Sequence, residues 1–514
     1  MPVDLDDPKM EGYVPLQQYR DLDTGASSRR IREDSDEGPL TEVEVKAMLA
    51  EQQDMQIDER LATEQDALDL TSATKLAVPA TVRIAVEQAE FSFEDMQNPE
   101  TLQAIINRTG RTPFMDGALS ADASHHAVIN ACIDKVITGG GGIVWMPPIA
   151  GEWKIGGPIN LFKTGVTGSY LKFQGIGEKV RMKRLNATGD IFVVGDGTTP
   201  VYYVHLKNIL LNAVVPRTSG IDIKMQRCNQ MLFEDLVFDG SYAGIQADHS
   251  NTCYFNRAVI NMPNQTSGYG VIIRSEPATA YRTDIVKLSE VTIQAYNAGS
   301  YGMLVSGRVH GCHTDGVYAL GTRRGLAIVS TAAGSAWADI PSFGDYRKFE
   351  TDRALDISVV IEKGYRNEFH RAEFSNTSGA MDVPYPQGSA DNCALYIGAG
   401  ATDTKFFAGR IGNCRQQAVQ DYGLGSQFFG TTFNDMSKAG AGVAAAVYIG
   451  AAARAFNYQA CRIEGYSRAS YAFQMEAASK NGIIRDTIYK DIVNTFNAGT
   501  GTNVTMSGQK DDSV

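Results

Sequence analysis

The chain has no long hydrophobic run; nowhere do its apolar residues approach the ~20 in succession that a membrane span requires. It has no excess of positive charge either. A net charge of −12 argues against a nucleic-acid binder held by phosphate contacts, and equally against an anionic membrane surface. The acidic start MPVDLDDPKMEGY lacks the apolar core of a secretory signal, so none is expected. Seven cysteines are present and no two form a CxxC pair. Cys228, Cys253, Cys312, Cys393, Cys414 and Cys461 lie in or beside strand-like segments, which reads as reduced, buried small hydrophobes rather than metal ligands or bridges. The Gly139–Gly142 run is followed by no Lys-Ser/Thr and does not join a strand to a helix, so no phosphate-binding loop is expected. No metal or cofactor is implied. After residue 142 the 3.6-residue spacing of helices is missing as well, which excludes helical repeats.

What the chain has in quantity is turn punctuation. Its 51 glycines suit a fold of many tight corners. In GGGGIVWMPPIAGEWKIGGPINL, Gly139 to Leu161, glycines and prolines bracket apolar pieces of strand length. Such pieces then recur: KNILLN (207–212), EDLVFDG (234–240), RAVINMP (257–263), SEVTIQA (289–295) and TDGVYAL (314–320). The residues before their apolar trios, Asn208, Asp235, Ala258, Glu290 and Asp315, are separated by 27, 23, 32 and 25 positions. A second family alternates with them: GIDIKMQ, AGIQAD, YGVIIRS, YGMLVSG and RGLAIVS. Further on, residues 394–414 match residues 446–466 at an offset of 52, about two of the shorter intervals. Repeats of this length signal a solenoid whose units bury their apolar faces on one another. Since the units contain strands only, the expected fold is all-β, a parallel β-helix, right-handed by the usual chirality of parallel crossovers.

Before the coil the texture differs. Residues 1–40 form a charged arm poor in apolar spacing. Residues 41–115 read as helical: Thr41 and Glu44 fit a capping box followed by a broken stripe from Val45 to Leu68, and Asn98, Pro99 and Gly110 bracket a second short helix. The first helix either packs on its own domain or docks as an adapter on a neighbouring subunit. DASHHAVINACIDKVI gives one more helix, with Ala127, Ile129, Ile133 and Ile137 apolar and His125-His126 as a surface pair, placed to cap the open end of the stack. The coil is expected over residues 116–500, with 501–514 as a tail.

The helix Ala127–Ile137, then GGIVWMP, then GEWKIGGPI together resemble the opening of the pectate-lyase-like β-helix superfamily, and within it most closely the tailspike and spike proteins of tailed bacteriophages. That resemblance implies a homotrimeric virion protein, made in the host cytoplasm. Its first 115 residues would attach to tail or portal adaptor proteins, and its β-helix would contact host cell-surface polysaccharide. A polysaccharide hydrolase or lyase on the same coil is the alternative. The chain departs from the pectin-hydrolase motifs of this superfamily: Asn251-Thr252-Cys253 stands where Asn-Thr-Asp is found, and His313-Thr314-Asp315-Gly316 is only a loose echo.

Site candidates follow from stacking. Coils ~4.8 Å apart would set Glu290 over Asp315, near the ~5–5.5 Å used by retaining glycosidases, with Asp235 two coils from Glu290 for an inverting pair. The competing reading makes these acids corner residues bonded to turn N–H groups. Trp337, Tyr346 and Phe349, in a stretch read as a long insertion, are candidates for stacking on sugars, or else pins that hold the loop to the stack or to a neighbouring protomer. His249, His310 and His313 read as turn or rung residues.

Overall fold

The computed structural model describes residues 110–115, 124–149, 151–177, 179–214, 217–262, 268–275, 281–295, 300–330, 337–354, 356–375, 393–436, 444–467, 469–499 and 501–512. The expected arm over 1–40 and the helices expected between 41 and 109 lie outside these residues. The described chain is an all-β, right-handed parallel β-helix. Every strand pairing within it is parallel, and each coil pairs with the coils before and after it. The recurring families of the sequence are the rungs. IDIKMQ, AGIQAD, YGVIIRS, YGMLVSG and LAIV are successive neighbours in one sheet of 13 strands. The offset of 52 is two coils, because Leu395 pairs with Val419 and Val419 with Val447.

Two columns of left-handed residues shape the coil. The first runs from Tyr170 (φ 41°) and Tyr203 (φ 60°) through Gln230, Thr252 and Ile285 to Asn503; the second lies five residues later, from Asn208 through Asp235, Arg257, Glu290 and Gly316 to Gly508. A left-handed residue bends the strand without breaking its register, at roughly 1–2 kcal/mol for a side chain other than glycine. The cost is repeated at each coil because four residues between the bends form a narrow sheet. Their first and third side chains point inward and their second and fourth outward. Cys253 and Phe255 are buried while Tyr254 is exposed, for example.

The inner column of this narrow sheet is an aromatic stack. Tyr346, Phe369, Phe406, Phe428 and Tyr458 lie one per coil, with ring centroids 4.7, 4.8, 4.5 and 4.6 Å apart and planes within 14°. The spacing of the rings is the spacing of the strands.

The helix His126–Thr138 closes the N-terminal end, burying Ile129, Cys132, Ile133, Val136 and Ile137. Ala127, expected among its apolar positions, is exposed. Asn130 ties the helix to the coil by donating to the Pro158 carbonyl (2.8 Å) and accepting from the Asn160 N–H (2.9 Å). The expected surface pair is half corrected. His125 is buried, lies edge-on to the fully buried Trp153 at 5.6 Å, and accepts the Lys154 N–H at Nδ1 (3.0 Å). Trp153 of GEWKI therefore plugs the opening coil. At the other end, Thr505–Ser507 and Lys510–Asp511 still pair with the coil, within the residues expected to be a tail.

All seven cysteines are free and buried. Burial pushes the thiols of Cys228, Cys312 and Cys461 up to about 12. A thiol reagent such as DTNB is expected to leave the folded protein unlabelled and to titrate seven thiols after unfolding. Fast labelling of the native chain would show that the coil is not closed around them.

Candidate functional site

The residues singled out by stacking share one corner of the coil but do not pair as expected. Asp235 and Glu290 both occupy the second left-handed column (φ 56° and 54°), two coils apart, with Arg257 on the coil between them. The column passes through Arg257 rather than Ala258, and through Gly316 rather than Asp315. Asp315 is one residue early: it pairs with Ser289 below and Arg347 above, leaving Glu290 opposite Gly316. The expected Glu290–Asp315 stack is therefore out of register by one position, enough in a strand to change the direction of a side chain. Both neighbouring acids are held in ion pairs. Asp235 takes two hydrogen bonds from Arg257 (2.6 and 3.0 Å), which hold its carboxyl below the usual range, and Asp315 lies 3.4 Å from Lys348. Asp235 is thereby an ionised acceptor rather than a proton donor.

The aromatic candidates divide. Trp337 is 50% exposed and packs beside His310 (5.5 Å) and Phe343 (5.8 Å). Tyr346 and Phe349 are both 0% exposed. Residues from Asp345 to Asp352 are regular strand, not insertion, so Tyr346 and Phe349 are core side chains and cannot touch a ligand. His249 sits at a corner (φ 48°); His310 and His313 are rung residues, each with burial lowering its pKa.

The same strand carries the acids that do stack. GDYRKFET (344–351) and NEFHRAEF (367–374) are successive rungs at an offset of 23, aligning Asp345 with Glu368, Tyr346 with Phe369, and Glu350 with Glu373. Reading the first of these segments as a loop hid the repeat; aligning the two would have revealed it. On the narrow sheet the outward side chains of consecutive coils are His313, Asp345, Glu368 and Lys405 in one column and Asp315, Arg347, His370, Phe407 and Phe429 in the other. Lys405 bonds Glu368 (2.9 Å) and lowers its pKa, Arg347 bonds Asp345 (2.9 Å), and His370 lies 3.5 Å from Glu368 and 3.8 Å from Asp345. His370, Phe407 and Phe429 stack at 4.8 and 5.3 Å and present ring edges outward.

Beyond the corner residues Lys348 and Arg371, the outward column reads Tyr318, Glu350, Glu373 and Arg410 on four consecutive coils. Burial raises the Glu350 pKa, the neighbouring charge of Glu373 raises it further, and a hydrogen bond from Tyr318 opposes them. Glu350 and Glu373 are in register on adjacent strands, whose backbones lie about one strand spacing apart, ~4.8 Å. A carboxylate on the adjacent coil disfavours ionisation of its neighbour, in the same direction as the burial of Glu350. Among the described residues, no group of three or more His, Cys, Asp or Glu is placed to hold a metal ion. Nor is any helix among them long and apolar enough to cross a membrane.

No protein family and no curated protein sequence matches the chain. Solved structures do. Tailspike protein 3 of bacteriophage CBA120 is similar over 80% of this chain and 62% of its own, at 10% identity and a TM-score of 0.50. The fold they share is the parallel β-helix. The A-module of the mannuronan C-5 epimerase AlgE6 from Azotobacter vinelandii is similar over 78% of this chain and 98% of its own, at 13% identity and a TM-score of 0.40. The catalytic unit of an α-1,3-glucanase from Streptomyces thermodiastaticus is similar over 77% and 68%, at 12% identity and a TM-score of 0.38. At such identities these likenesses concern the path of the backbone and leave the chemistry to this chain's own side chains.

Proposed function

We propose that the chain is a virion spike of a tailed bacteriophage or phage-like particle, whose β-helix attaches the particle to polysaccharide on the host surface. The observation that carries the reading is the outward corner of the coil between His313 and Phe429. There, carboxylates, cations and stacked ring edges alternate at strand spacing along a rigid stack, a surface that offers hydrogen bonds to hydroxyls and apolar edges to sugar C–H groups. The virion role is supported by the fold shared with a phage tailspike and by the acidic arm and helical pattern that precede the coil in the sequence. On this reading residues 1–115 form the attachment region that docks on tail or portal adaptor proteins, and three copies associate.

A second reading is favoured by Glu350 and Glu373. Glu350, its pKa raised, beside Glu373 on the next coil supplies the two carboxyls a retaining glycosidase uses: on this reading Glu350 gives its proton to the leaving glycosidic oxygen while Glu373 attacks the anomeric carbon. Water then releases the sugar, Glu350 recovering a proton from it. Purified protein incubated with a panel of bacterial capsular and lipopolysaccharides distinguishes the two readings, with retention, reducing ends and unsaturated-uronate absorbance followed together. Retention without new ends supports attachment alone. New ends that vanish in Glu350→Gln and Glu373→Gln but persist in Asp235→Asn, Glu290→Gln and Asp315→Asn support a hydrolase. Absorbance of unsaturated ends would replace the hydrolase with a lyase, and failure to retain any polysaccharide would overturn the glycan reading itself.

A further inference from the structure

The first left-handed column holds a choice of residue that folding does not explain. Such a corner is met at least cost by glycine or asparagine, and a bulky side chain there is an outlier. Two coils in succession place tyrosine at it: Tyr170 (φ 41°) and Tyr203 (φ 60°). Neither ring is repaid by burial in the core, since they remain 56% and 43% exposed. The rings stack on each other at 4.8 Å, 16° from parallel, with Tyr202 beside them at 6.3 Å. The neighbouring backbone makes room for them. A Cβ at Gly168 would lie 2.5 Å from the Tyr170 ring, and one at Gly141 would lie 2.6 Å from its Cβ. Together these tyrosines wall an open cleft of about 650 Å³ between the end of the capping helix and the first coils, whose polar lining is Thr138, Thr167 and Lys163.

We propose that this cleft is a second saccharide site, separate from the corner around Glu350, and that it takes an acidic sugar unit. Its volume is that of a small-ligand pocket, and tyrosines supply both apolar ring surface and hydroxyls at little conformational cost. Charge selects the anion. Lys163 lines the cleft, and its ammonium, donating to the Thr138 hydroxyl (2.7 Å), keeps further N–H groups for a carboxylate. Lys172 and Lys207 point outward on the two coils that carry the tyrosines, and the acid that faces Lys207, Glu234, is already hydrogen-bonded to His205. Lys163 in the cleft, with Lys172 and Lys207 on the same coils, favours an anion there on a chain of net charge −12.

The inference rests on the glycan-binding reading of the coil, and its test separates the two. Binding of hexamannuronate and of neutral maltohexaose is measured by ligand-observed NMR on the full chain, for the wild type, Tyr203→Asn and Lys163→Met. Asparagine suits the left-handed corner, so Tyr203→Asn is expected to keep or raise the melting temperature while weakening hexamannuronate at least tenfold. Lys163→Met should weaken it while leaving any maltohexaose binding unchanged. Absence of hexamannuronate binding, or equal binding by Tyr203→Asn, overturns the site. If the wild type still retains bacterial polysaccharides in that event, only this inference falls; if it retains none, the attachment reading falls with it.

Discussion

Phe428→Ala is expected to destabilise the coil by about 3–5 kcal/mol, the cost of deleting a buried ring from a core that cannot collapse around the gap. Phe428 is fully buried and is sandwiched between Phe406 at 4.5 Å and Tyr458 at 4.6 Å, with Phe433 edge-on at 5.6 Å. The neighbouring rings are fixed to strands whose separation is set by backbone hydrogen bonds, so they cannot close over the vacancy without breaking register. Phe428→Leu, which refills part of the volume, should recover a substantial part of the loss. Urea unfolding followed by far-UV circular dichroism measures both; a loss below about 1 kcal/mol for the alanine variant would mean that the stack is incidental.

The stability of the wild type is expected to fall by about 3 kcal/mol between pH 4 and pH 7.5 through one buried acid, and Asp421→Asn should remove that dependence. Asp421 is fully buried and accepts hydrogen bonds from the Gly423 N–H (2.9 Å), the Ser426 hydroxyl (2.8 Å) and the Tyr458 hydroxyl (2.9 Å). Burial outweighs these donors and pushes its carboxyl up to about 6. Because the folded value lies above the ordinary 3.8, the native state holds a proton that the unfolded chain has released. The resulting stabilisation is complete below about pH 4 and disappears as pH rises through about 6. Asparagine is nearly isosteric and remains neutral throughout. The variant should therefore overtake the wild type above pH 7, and the difference between the two denaturation midpoints, plotted against pH, isolates this group from all others. A flat difference would show that Asp421 is solvated or ionised in the native state.

The coil was legible in the sequence because its repeats carry both signals at once, apolar alternation and left-handed corners. KNILLN and SEVTIQA announce a buried segment directly after Asn208 and Glu290, and the second family of strands falls into one sheet in the order in which it was read. The site was less legible because a parallel register cannot be fixed by short apolar trios alone. In RAVINMP the corner is Arg257 and the trio begins at Ala258; in TDGVYAL glycine takes the corner and Asp315 precedes it. Sliding each segment by one residue preserves a plausible apolar run, yet decides which side chain faces outward. Tyr346 and Phe349 were misread for a related reason. Their segment follows the irregular turn Trp337–Asp339 and contains Arg347 and Lys348 between the buried rings, so it lacks the aliphatic texture of the earlier rungs. Its likeness to NEFHRAEF, two arginine- and glutamate-bearing rungs in register, is what locates Glu350 and Glu373.

The most direct measurement is a distance along the ladder that carries the outward corner between His313 and Phe429. Lys287 and Ile483 are both exposed on one outward column of the narrow sheet, seven coils apart through His313, Asp345, Glu368, Lys405, Gln427 and Asn457. With cysteines introduced at both positions and spin-labelled while the native thiols stay buried, and labelled chains diluted among unlabelled ones so that distances within one chain are read, pulsed electron resonance should give a distribution centred near 34 Å, seven strand spacings of ~4.8 Å. A within-chain centre displaced by more than about two strand spacings would contradict one continuous stack and the register that brings Glu350 and Glu373 together.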